Sequence, residues 1–152
     1  EQQRLIHEMG LGVKFQLGTY EPERFFALAK GHEAEPEGGE RCFKCYRLRL
    51  EEAARAAKAG GFSYFTTTLS ISPHKNAQVL NELGKEISDT FGVPYLYSDF
   101  KKKNGYRRSC ELSTEYHLYR QDYCGCPFSK AEAEERKRRV QACATHTKER
   151  KS

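Results

Sequence analysis

No apolar run in this chain approaches the roughly 20 residues a helix needs to cross a bilayer, so a spanning segment of that kind is excluded. A signal-peptide pattern is missing as well. With it goes the case for a secreted disulfide framework, which belongs to small loop-rich domains. No internal repeat or long low-complexity segment is present, which argues against a repeat array. Neither a second C-x-x-C nor an H-x-x-x-H occurs, so a self-contained four-ligand zinc knuckle has no basis. The chain also opens at Glu1 without an initiator methionine, in what reads as the middle of a pattern. We therefore expect a natural N-terminus further upstream.

What is present describes a soluble globular domain. Hydrophobic residues make up 38% and charged residues 31% of 152 positions. A chain of this length buries roughly 70% of its unfolded surface, enough for one core and too little for two full domains. The net charge of +5 leans mildly toward polyanionic partners. The six cysteines are unevenly spaced. Cys42 with Cys45 and Cys124 with Cys126 form close pairs, while Cys110 and Cys143 stand alone and read as structural. Close pairs in a reducing compartment indicate metal ligation or thiol chemistry, and the cytoplasm is the expected location.

Along the chain, a helical pattern at Gln2 to Met9 is broken by Gly10-Leu11-Gly12, and Val13 to Leu17 alternates like a buried strand. Glu21 to Lys30 reads as a short helix, followed by a Gly-, Glu- and Pro-rich loop from Gly31 to Gly39. Glu40 to Ala59 is one helix stopped by Gly60-Gly61. Phe62 to Thr68 has the make-up of a strand, and Ser72-Pro73 offers a cap and first-turn proline for a helix to about Thr90. Tyr95 to Tyr97 is another short strand. This alternation predicts an α/β fold with an open, mainly parallel sheet. Then come a basic loop from Lys101 to Arg108, a helix from about Ser113 to Arg120, a tight turn at Tyr123 to Pro127, and a final helix through about Ala144 that Ser129 could cap. From Lys130 onward eight Lys or Arg face four Glu.

Cys42 and Cys45 lie three apart at a helix start, so both thiols share one face, and Arg41, Lys44 and Arg47 nearby favour thiolates. Two ordinary buried cysteines are the plainer alternative, and by itself the pair is half a site. Cys124-Gly125-Cys126 can close a disulfide only through a sharp bend, which glycine permits and which would make the bond labile. Metal ligands or inert turn cysteines remain alternatives. Asp99 follows a predicted strand, where ligands collect in open α/β sheets, and could ligate a metal, donate a proton or cap a loop. Lys101, Lys102, Lys103, Arg107 and Arg108 are interleaved with Tyr106, cations with aromatics that suit RNA, although a charge run is usually a solvated face.

Four strings carry a resemblance: Gly38-Gly39-Glu40-Arg41-Cys42-Phe43-Lys44-Cys45-Tyr46-Arg47; Thr66-Thr67-Thr68-Leu69 with Ser72-Pro73-His74-Lys75-Asn76; Tyr97-Ser98-Asp99-Phe100-Lys101-Lys102; and Gly105-Tyr106-Arg107-Arg108-Ser109 running on to Tyr123-Cys124-Gly125-Cys126. From about residue 13 to Ser129 the chain resembles the cobalamin-independent epoxyqueuosine reductases of the QueH type. The resemblance implies a nucleotide-hydrolase-like three-layer core and reduction of epoxyqueuosine to queuosine in the tRNA anticodon, the last step of queuosine biosynthesis. It implies a [4Fe-4S] cluster held in part by Cys42 and Cys45, an additional iron, and a redox-active disulfide between Cys124 and Cys126. Asp99 would then be the acid at the departing oxygen, Lys101 to Lys103, Tyr106, Arg107 and Arg108 would meet the tRNA, and a separate donor would supply electrons.

The family's opening Cys-Cys-x-x-Cys strand has no counterpart, nor has its first βαβ unit of ~30 residues or more. The expectation is thus the C-terminal part of one catalytic domain over residues 1–128, with a charged basic helix and tail at 129–152, a truncated chain inactive by itself. The alternative of another class is a zinc-stabilised RNA-binding module without redox activity. A metal-free thiol-disulfide oxidoreductase is a third.

Overall fold

The computed structural model describes the backbone of residues 1–149 and the side chains of residues 1–141. Its elements are helices: α1 (Gln2–Glu8), α2 (Pro22–Ala29), α3 (Glu40–Ala59), α4 (Ala77–Phe91), α5 (Gly105–Glu115) and α6 (Pro127–Glu149), with a 3-10 turn at Thr68–Ile71. The chain divides into two compact units, Glu1–Leu118 and Tyr119–Ser152. The C-terminal unit therefore takes the Cys124–Cys126 turn together with α6. Among the described residues no helix is long and apolar enough to cross a membrane.

The core of the first unit lies between α3 and α4. Tyr46, Leu50, Ala54 and Ala57 recur at helical spacing, which puts them on one buried stripe of α3. Leu80 and Ile87 answer from α4, and Phe65, Val93 and Tyr95 complete the cluster. The helix α2 packs against α3, and α5 against the 3-10 turn. Asn76 starts α4, because its side chain accepts the N–H groups of Gln78 at 3.0 Å and Val79 at 3.3 Å. Gly92, left-handed at φ 72°, ends it. The expected start at Ser72-Pro73 is displaced because the Ser72 hydroxyl serves a local turn, accepting the His74 N–H at 3.3 Å. Likewise α5 begins at Gly105, not near Ser113, so the second half of the basic stretch is helical.

Gly84 permits the closest approach in this core: a Cβ there would lie 2.5 Å from the Tyr95 ring. Alanine is worth about 1 kcal/mol over glycine inside a helix. Gly84→Ala is nevertheless expected to destabilise the chain by about 1–3 kcal/mol, the usual range for overpacking. A urea midpoint at or above that of the unsubstituted chain would show that the ring gives way.

The α/β expectation is overturned. No strand or sheet occurs among the described residues, and the predicted strands meet in a single parallel bridge between Phe65 and Tyr95. Phe65 donates its N–H to the Pro94 carbonyl at 3.0 Å, and Leu96 donates to the Phe65 carbonyl at 2.9 Å. A ladder needs consecutive pairing, and here side chains and proline interrupt it. Pro94 has no N–H to give. Thr66 Oγ1 donates to the Leu96 carbonyl at 2.8 Å, and Asn81 Oδ1 takes the Ser98 N–H at 3.1 Å. The Thr67 hydroxyl accepts the Leu69 N–H at 3.2 Å and opens the 3-10 turn. Val13 to Leu17 has no regular structure, with Val13 58% and Leu17 83% exposed. Phe62 to Thr68 and Tyr95 to Tyr97 have β-type side chains, yet only one bridge forms. The open parallel sheet and three-layer core are replaced by a helical unit.

Candidate active site

The first thiol pair is built by the turn entering α3. Gly39 at the N-cap position has no side chain to cap with, and Glu35 substitutes by accepting the Arg41 N–H on Oε2 at 2.9 Å. The other Glu35 oxygen meets His32 Nδ1 at 2.6 Å. These two bonds, His32 foremost, hold the Glu35 carboxyl below its ordinary value. Gly38, at φ 98°, turns its N–H onto Cys42 Sγ at 3.3 Å. One turn further along, Cys45 Sγ accepts the Arg49 Nε–H at 3.4 Å. Cys42 is buried and Cys45 half-buried. Each sulfur thus has an N–H donor aimed at it, a contact that favours negative charge on sulfur.

The three cations expected around these sulfurs are otherwise engaged. The Arg41 side chain is 1% exposed and donates to the carbonyls of His32 at 3.2 Å, Glu33 at 2.9 Å and Glu35 at 2.6 Å. Lys44 contacts His32 Nε2 at 2.6 Å, and Arg47 pairs with Glu86. Lys75, buried at 5% exposure, pairs with Glu37 and lies 5.8 Å from the Tyr46 ring centroid. Buried positive charge therefore organises the loop from 31 to 39, which in turn presents the Gly38 N–H to Cys42.

Asp99 has both oxygens paired, with Lys101 at 2.8 Å and Lys102 at 3.5 Å. The Lys101 hydrogen bond is the main cause that holds its carboxyl below the ordinary range, so Asp99 stands as a carboxylate at neutral pH. With Asn81, Tyr97 and Lys102 it lines a cavity of about 670 Å³ along α4. The two arginines also hold carboxylates: Arg107 meets Glu111 at 3.0 Å, and Arg108 meets Glu111 at 3.4 Å and Glu115 at 3.8 Å. Such exposed pairs contribute about 0–1 kcal/mol each and yield readily to a better anion. Lys103 and Tyr106 are exposed.

In the second unit, Cys124 and Cys126 are free, partly exposed thiols on either side of Gly125, which bends the turn at φ 77°. Cys126 immediately precedes α6 and its carbonyl accepts the Lys130 N–H at 3.1 Å. Ser129, expected as the cap, sits within the first turn and contacts both cysteines. Its hydroxyl accepts the Cys124 N–H at 2.8 Å, and its own N–H donates to Cys126 Sγ at 3.3 Å. Asp122 pairs with Lys137 at 2.8 Å. Cys110 is half-buried on α5. The Cys143 side chain lies outside the described residues.

Among the described residues no three His, Cys, Asp or Glu side chains converge as a metal-binding group. Cys42 and Cys45 by themselves bring two thiols to the head of α3. Sequence reasoning assigns no role to Glu35, Glu37 or Lys75, and gives Ser129 only that of a helix cap. Lys75 lies inside the Ser72 to Asn76 string, the one signal that marked it.

A family model described as epoxyqueuosine reductase QueH matches residues 1–132. The epoxyqueuosine reductase QueH of Staphylococcus epidermidis is 46% identical over 125 residues, 81% of this chain and 52% of that protein. That of Streptococcus pyogenes is 47% identical over 120 residues, 79% of this chain and 47% of the relative. For the Thermotoga maritima protein of the same name the figures are 34% over 134 residues, 88% and 70%. The chain spans about half the length of the first two.

Proposed function

Because this chain belongs to the epoxyqueuosine reductase QueH family, we propose that it forms part of an enzyme that reduces epoxyqueuosine to queuosine in tRNA, completing queuosine biosynthesis. The observation that carries the reading is the pair of N–H donors aimed at Cys42 and Cys45 at the head of α3. In this reading Cys42 and Cys45 hold one side of a [4Fe-4S] cluster, with the remaining ligands supplied from outside the described residues. When bound, such a cluster with an adjacent iron supplies one-electron carriage and Lewis acidity.

The chain's own residues then account for the rest. Removing the epoxide oxygen as water takes two electrons and two protons and leaves a carbon-carbon double bond. Oxidising the Cys124 and Cys126 thiols to a disulfide releases two electrons and two protons, so the two half-reactions balance. Asp99 enters as a carboxylate that orients the Lys101 ammonium, and the proton given to the departing oxygen comes from that pair. Lys101, Lys102, Lys103, Tyr106, Arg107 and Arg108 meet the tRNA, the carboxylates paired with Lys102, Arg107 and Arg108 giving way to phosphates. Residues 1–128 belong to the catalytic domain and 129–152 add a basic helix and tail. A tRNA substrate places the protein in the cytoplasm, with an electron donor to restore the thiols.

The test is metal and product analysis of a chain as long as its relatives, purified without oxygen. Iron with acid-labile sulfide, and conversion of epoxyqueuosine in tRNA, are expected. Stoichiometric zinc with tRNA binding and no conversion would replace the reading with a structural RNA-binding module.

A further inference from the structure

The Ser129 contacts have a meaning beyond turn geometry. Ser129 is 3% exposed, and its two bonds tie both cysteines of the C-G-C turn to the first turn of α6. A buried hydroxyl is costly to desolvate, so its acceptor role toward Cys124 is a fixed part of the turn. On the other side, the Ser129 N–H points at Cys126 Sγ from a helix N-terminus, where unpaired N–H groups carry partial positive charge. A sulfur with thiolate character accepts that bond better than a disulfide sulfur.

Closing the disulfide requires the two sulfurs to come within about 2.05 Å of each other. Closure turns Cys126 Sγ into a disulfide sulfur, a poorer acceptor for the Ser129 N–H, within a turn that the Ser129 hydroxyl holds in its dithiol geometry. The bonds to Ser129 therefore belong to the dithiol state and favour it. They also make the two cysteines unequal. In thiol–disulfide exchange the sulfur that better carries negative charge is the better leaving group. Here that sulfur is Cys126.

We propose that Ser129 is the positioning residue of the Cys124–Cys126 pair, holding the turn toward its dithiol form and fixing Cys126 as the sulfur that leaves when a dithiol reductant attacks Cys124. This rests on the redox-pair reading of the C-G-C turn. In the step, a reductant thiolate forms a bond to Cys124 Sγ while the Cys124–Cys126 bond breaks, its electron pair going to Cys126. The reductant's second thiolate then attacks its own bridging sulfur and releases Cys124 as thiolate. Protonation yields two thiols, and the reductant leaves as a disulfide.

The experiment equilibrates the chain with reduced and oxidised glutathione and counts the Cys124–Cys126 disulfide by alkylation and mass spectrometry. Loss of one hydrogen bond of ordinary net strength corresponds to about fivefold in an equilibrium constant. Ser129→Ala is thus expected to shift the equilibrium about fivefold toward the disulfide, and Ser129→Thr, which keeps the hydroxyl, to restore it. Acid-trapped mixed disulfides with glutathione should sit on Cys124. An unchanged equilibrium in Ser129→Ala, a Ser129→Thr variant that behaves like the alanine one, or trapping on Cys126 would each overturn the proposal. Absence of any Cys124–Cys126 disulfide in the unsubstituted chain, at every glutathione ratio, would instead overturn the redox-pair reading and this inference with it. Because Ser129→Ala could loosen α6, helicity is followed by circular dichroism. A fivefold shift that tracks lost helicity and is not restored by threonine counts against the proposal.

Discussion

Replacing Arg41 by alanine is expected to lower the unfolding free energy by about 3 kcal/mol or more, since stranding a buried polar group costs about 1–3 kcal/mol and the substitution strands several at once. The guanidinium is the donor to the carbonyls of His32, Glu33 and Glu35 in a buried setting. Arg41→Met keeps most of the volume and should recover little, which separates lost hydrogen bonding from a lost side chain. Arg41→Lys keeps the charge without the planar fork and should recover part. Urea unfolding of the four chains measures this. An Arg41→Ala midpoint equal to that of the unsubstituted chain would mean that the loop from 31 to 39 keeps its shape without the guanidinium.

The second large effect concerns Cys45. In a chain as long as its relatives, Cys45→Ser is expected to remove the iron–sulfur absorbance and reduce epoxide conversion by more than about 100-fold, beyond the 10–100-fold typical of losing an outer partner of a metal ligand. Arg49→Met removes the Nε–H donor to Cys45 Sγ while leaving the thiol in place, and should fall inside that smaller range, with iron retained. Iron and sulfide assays beside single-turnover conversion distinguish the two variants. Full iron content and activity in Cys45→Ser would strike Cys45 from the ligand set.

Much of the helical framework was legible from local chemistry. The α3 limits, Glu40 to Ala59, follow from an unbroken run of helix formers between glycines. The left-handed Gly92 likewise marks the end of α4. The sheet was misread because β-type composition specifies an extended backbone and says nothing of what pairs with it. At Phe65 and Tyr95 the neighbouring groups are taken by Pro94, Thr66 and Asn81, and these contacts span up to thirty residues. The cysteine pairs were visible from spacing alone. Their supports were not, because Glu35, Glu37 and Lys75 act through loop carbonyls and buried charge that have no periodicity. Arg41 and Lys44 serve the loop and Arg47 pairs with Glu86 on α4, since side chains on successive helical positions point in different directions.

The ion pairs along the basic stretch bear on how it would respond to salt. A lysine or arginine facing bare solvent gains affinity for a polyanion by freeing the small ions condensed on that polyanion. Here Asp99 is shared between Lys101 and Lys102, offsetting one of their two charges, while Glu111 and Glu115 face Arg107 and Arg108. An incoming phosphate must first displace a tethered carboxylate, which stays attached to the protein and continues to compete. On the proposed tRNA reading the stretch would act as a self-buffered surface, with each weak pair taking a small share from the gain of binding a polyanion, least where the partner's geometry leaves the carboxylates solvated.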